Sequence, residues 1–94
     1  MTRLHQLFSC SAEAVSDLMS IRDDADSVLL ADRGVQLLAS GSPGMTNTQS
    51  WFALTADVEA RGLQAFAAQS GIDLISDEDW IELVSRHEQV LSWK

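Results

Sequence analysis

The fold this sequence predicts is an α/β one: a three-layer arrangement built on an open, mainly parallel sheet of four to five strands. Three observations predict it. Short apolar runs at Ser27 to Ala31, Trp51 to Leu54 and Ile72 to Ile75 are each too brief for a helix, and segments with helical spacing stand between them. The run Ser-Val-Leu-Leu-Ala at 27–31 is apolar without alternation, as expected of a strand covered on both faces of a parallel sheet. Strands divided by helical segments close through right-handed crossovers, which place helices on both sides of the sheet.

The stretch 50–63, SWFALTADVEARGL, shows the repeating unit most plainly. Trp51 to Leu54 reads as a strand, and Thr55 to Asp57 as the polar turn that opens a helix. Thr55 or Asp57 is expected to accept from the free N–H groups of the first turn, with Glu59 near the positive end of the dipole. Gly62 is expected to stop that helix, because glycine takes the left-handed conformation cheaply.

Along the chain, Leu4 to Phe8 reads as a first strand, and Ser9 or Ser11 as the cap of a helix burying Ala14, Val15, Leu18, Met19 and Arg22. Asp23, Asp24 and Asp26 break it. After the strand at 27–31, Asp32-Arg33-Gly34 turns into a brief helical piece with Val35, Leu37 and Leu38, ending near Gly41. Ser40 to Ser50, with the one proline Pro43, is the expected surface loop. Gln64 to Gly71 leads to the run 72–75, and Ser76 with Asp79 resembles a capping box. Trp80, Ile81, Leu83, Val84 and His87 make a broad apolar face on the last helix, and Gln89 to Trp93 offers a closing strand.

The 94 residues are read as a single domain, 1–94. A chain of this size buries only about 60 to 65% of its unfolded surface. With 46% apolar and 21% charged residues, it carries more apolar material than so small a core hides, so self-association or a partner is expected. The net charge of −8 and the lack of a Lys/Arg stripe argue against direct nucleic-acid binding and against an anionic membrane surface. The N-terminal MTRLHQLFSC lacks a signal-peptide core, and no run approaches the about 20 residues of a membrane span. An intracellular, soluble protein is expected.

Little here promises chemistry. Cys10 is the only strong nucleophile, placed between a strand end and a helix start, where a thiol pKa can fall; that would suit a persulfide carrier. The plainer and preferred reading makes it a small helix-entry residue, with no Lys or Arg beside it in sequence. His5 and His87 have no carboxylate at a diagnostic spacing and read as structural. The groups Asp23-Asp24-Asp26 and Asp77-Glu78-Asp79 read as solvated turns or a helix start rather than metal ligands, and one cysteine with two separated histidines supplies no zinc site. No phosphate-binding glycine pattern is present, so neither a cofactor nor a metal is expected. Trp51, Trp80 and Trp93 read as core or interface anchors.

Leu4-His5-Gln6-Leu7, the segment FALTADVEARGL at 52–63, and ISDEDWIELVSRHEQVLSW at 75–93 together resemble the DsrH/TusB family of sulfur-relay proteins. The resemblance runs in order through nearly the whole chain. It implies a DsrE-like fold and a cytoplasmic complex with two homologous subunits, TusC-like and TusD-like, in a dimer of heterotrimers. In the TusBCD branch that complex takes persulfide sulfur from TusA and passes it to TusE, toward 2-thiouridine at the tRNA wobble position. The reactive cysteine of that branch lies on TusD, so a non-catalytic role is implied for this chain. The DsrEFH branch, which oxidises stored sulfur, tends to carry a cysteine within the first helix; 12–22 contains none. The resemblance therefore favours the tRNA-thiolation branch, with no catalytic role carried onto Cys10.

Overall fold

Five short strands alternate with helical segments, as the run lengths predict. A computed structural model describes residues 3–21, 26–40 and 51–93. In order the elements are β1 (Arg3–Leu7), α1 (Ala12–Ile21), β2 (Ser27–Leu30), a 3-10 helix (Asp32–Gln36) running into α2 (Leu37–Ser40), β3 (Trp51–Leu54), α3 (Thr55–Ala60), α4 (Gln64–Ser70), β4 (Asp73–Ile75), α5 (Asp77–Ser85) and β5 (Gln89–Trp93). Arg22, Asp23, Asp24 and the loop expected beyond Ser40 lie outside the described residues.

The sheet order is β4-β3-β2-β1-β5, and every neighbouring pair is parallel. The chain steps one way from β1 to β4, then returns across the whole sheet to place β5 beside β1. Right-handed crossovers put every helix of the outward steps on one face and the helix of the return step on the other. Packing follows that rule. Leu7, Leu30 and Trp51 meet Leu18 of α1, Val35 and Val58 on the first face, whereas Leu4, Leu29 and Leu54 meet Trp80, Leu83 and Val84 of α5 on the second.

Several caps are where the residue types put them. Ser11 Oγ accepts from Ala14 N at 3.2 Å, and Ser76 Oγ from Asp79 N at 3.2 Å. Gly62, at φ 65°, ends α3 with Gly62 N donating to Glu59 O and Leu63 N to Val58 O, the paired bonds of a Schellman motif.

Three expectations change. Neither Thr55 nor Asp57 caps α3, whose N-cap is Leu54 with no side-chain bond; Asp57 Oδ2 instead accepts from Asp32 N at 2.7 Å, holding the neighbouring turn. Asp26 is not a solvated turn residue but 0% exposed, because Arg3 and His5 of the adjacent strand supply its partners. Ile81 does not join the packed face of α5 and is 71% exposed. Among the described residues no second helix lies beside α5 on its face of the sheet to cover it.

Candidate functional site

Because the strands are parallel, the segments leaving their carboxyl ends converge on one edge, and the strand order reverses there between β1 and β5. Crevices of this kind are where open α/β sheets take ligands. Here a crevice of about 440 Å³ is lined by Phe8 after β1, Asp32 and Arg33 after β2, and Ser92 of β5. The turn behind it is tightly built. Asp32 adopts φ 51°, a left-handed conformation that aspartate tolerates better than most side chains. Its N–H is held by Asp57, and its carboxylate accepts from Arg61 Nη2 at 3.0 Å. A Cβ on Gly34 would lie 2.1 Å from Leu7 O, so only glycine allows this turn to close over the end of β1.

Cys10 is exposed near this edge, and its thiol donates to Gln36 Oε1 of the 3-10 helix at 3.2 Å. The serines on either side are occupied with backbone: Ser9 Oγ accepts from Ser11 N, and Ser11 caps α1. Among the described residues no cluster of His, Cys, Asp and Glu could hold a metal ion. No helix among them is long and apolar enough to cross a membrane.

A second polar group lies buried under the sheet on the α1 side. Arg3 Nη2 stands 3.0 Å from Asp26 Oδ2 and also donates to Ile21 O at 2.9 Å, and Arg3 N reaches Asp26 Oδ1 at 3.2 Å. His5 Nε2 meets Asp26 Oδ2 at 2.9 Å, and Trp93 Nε1 donates to His5 Nδ1 at 3.1 Å. An indole nitrogen only donates, so Nδ1 is the accepting nitrogen, and the pattern is satisfied by the tautomer with hydrogen on Nε2, donating to Asp26. The Trp93 ring also stacks on His5, with centroids 6.1 Å apart. The chain Arg3-Asp26-His5-Trp93 thus ties β1, the start of β2 and β5 together.

On the α5 face, Trp80 Nε1 donates to Gln6 Oε1 at 2.8 Å, and Gln6 Nε2 to Ser92 Oγ at 3.4 Å. His87 Nδ1 bonds Leu83 O at 2.7 Å, and its Nε2 lies 3.1 Å from Ser27 Oγ. Both ring nitrogens of each histidine thus face a partner within the fold.

Of the three tryptophans, Trp51 is 1% exposed within the core, and Trp80 and Trp93 keep exposed surface. They lie on opposite faces of the β1–β5 pair, Trp80 beside Gln6 and Trp93 beside His5. Sequence reasoning missed Asp26, Arg3 and Gln6 as organising residues. The hint was present in polar residues at 3, 5 and 6 within a strand otherwise headed for burial.

These features define a small open α/β unit with an all-parallel five-stranded sheet. A conserved protein of unknown function from Bacteroides thetaiotaomicron has a similar structure: TM-score 0.66, 18% identity, covering 96% of this chain and 93% of that one. No curated protein matches the sequence. Residues 9–90 match the family described as DsrH like protein, and the chain belongs to that family.

Proposed function

We propose that this chain is a structural subunit of a cytoplasmic sulfur-relay complex that passes persulfide sulfur toward 2-thiouridine at the tRNA wobble position. Membership of the DsrH-like family carries the reading. Its partners are DsrE/DsrF-like subunits, TusC-like and TusD-like, with TusA-like and TusE-like carriers reached through the assembly. The absence of a cysteine from the sequence of α1 supports the thiolation branch over sulfur oxidation. Recovery of the tagged protein at natural abundance, followed by native mass spectrometry, tests it. Equal copies with two other small DsrE-like chains are expected; recovery without them overturns it.

One observation favours a second reading, a persulfide carrier: Cys10 is exposed on the segment leaving β1, two residues after Phe8, which lines the carboxyl-edge crevice. Its thiolate would attack the outer sulfur of a donor persulfide, giving Cys10 persulfide and releasing the donor thiolate. Cys10→Ala in the intact complex decides between them. Unchanged sulfur transfer removes the carrier reading, and lost transfer with assembly intact removes the structural one.

A further inference from the structure

We propose that the α5 face docks a different protein chain, one presenting apolar side chains rimmed by lysines or arginines. This inference rests on the assembly reading above and names the surface and chemistry of the contact. The helix has no fully buried residue, and a groove lies open along each flank. On the β3–β4 side a cavity of about 220 Å³ is floored by Phe52, Ile75 and Leu83. On the β1 side another of about 280 Å³ lies among Gln6, Trp80, Ile81 and Val84. Ile81, 71% exposed, is the most exposed of the large apolar side chains described.

The polar atoms in the second groove already serve one another, Trp80 to Gln6 to Ser92. An apolar side chain can therefore enter without stranding a donor, as a central interface anchor requires. The rim fixes the sign of the partner. Between 73 and 87 stand five carboxylates, Asp73, Asp77, Glu78, Asp79 and Glu82, all exposed, against one guanidinium, Arg86, which already bonds Glu82. A second copy docking by two-fold symmetry would bring this acidic patch against itself, the like-charge arrangement that rejects a partner. A basic-rimmed chain meets both demands, filling the grooves and neutralising the rim.

The test uses the complex recovered from its own cells, treated with a carbodiimide that joins carboxylates to amines without a spacer. Links from Glu78, Asp79 or Glu82 to several lysines of another chain are expected. Ile81→Asp and the double variant Glu78→Lys/Glu82→Lys are each expected to lower partner recovery by about tenfold or more, with the thermal transition of the chain unchanged. Links confined to Lys94, this chain's only lysine, would show no different chain at the face and overturn the proposal. So would undiminished recovery in both variants. DsrE-like partners linked through other surfaces sink this inference alone, whereas an unrelated basic partner linked through α5 sinks the sulfur-relay reading alone.

Discussion

Leu7, Leu30 and Trp51 lie on one face of the sheet at no more than 1% exposure, beneath α1, the 3-10 helix with α2, and the α3–α4 pair. Phe52, Ile75 and Val90 lie on the other face, half-covered by one nine-residue helix. Both faces belong to the same five strands. The difference comes from connectivity, since three crossovers deliver helices to the first face and one to the second. What it teaches is an uneven division of cover: both faces bury a core, Leu4, Leu29 and Leu54 on the second, but only the second keeps a half-covered border of apolar side chains.

The sharpest way to break that comparison is a matched pair of truncations. Leu18→Ala on α1, a 1% exposed site, is expected to cost about 4 kcal/mol and lower Tm by more than about 15 °C. Val84→Ala on half-buried α5 is expected to cost about 1 kcal/mol. Equal losses in thermal unfolding would refute the asymmetry. Next in size is Asp26→Ala, which removes the buried carboxylate that His5 and Arg3 share; about 3 kcal/mol is expected from chemical denaturation. Were it harmless, the buried network would contribute nothing to the first face.

Trp93→Phe keeps most of the ring area but removes the donor to His5, and about 1 to 2 kcal/mol is expected. Hydrogen exchange should quicken along β5 and β1 before any other strand. The smallest effect sharpens the contrast most. Ile81→Ser is expected to leave stability within about 0.5 kcal/mol while weakening assembly, and a large drop in Tm would show Ile81 to be part of the fold.

Local signals were legible from sequence because their partners are local. The strand at 51–54 is bounded by its own composition, Gly62 by the one conformation that ends α3, and Ser76 by the N–H three residues on. Asp57 defeated the same reasoning, since the N–H it accepts from belongs to Asp32, 25 residues earlier. Asp26 escapes sequence reasoning for a similar reason: a charge flanking an apolar run reads as solvated unless the strand that lies alongside is known. Periodicity makes the apolar face of α5 wider than the buried one, because it shows which residues are apolar, not how much sheet is available to bury them. Cys10 lies between β1 and α1, as its neighbours in sequence imply, while the crevice at that edge of the sheet, lined by Phe8, Arg33 and Ser92 from three segments, has no sequence signature.

The last strand pairs with the first, so Trp93 reaches His5 across 88 residues of chain. During synthesis β1 emerges long before the edge that covers it exists. At roughly 5 to 20 residues per second, that interval is on the order of 4 to 18 s. Through it, Arg3 to Leu7 can form one parallel pairing, with β2, but not the other. Closure of the sheet on this side thus waits for residues 89–93, and a chain stalled before residue 89 would offer β1 as an open edge to any strand nearby.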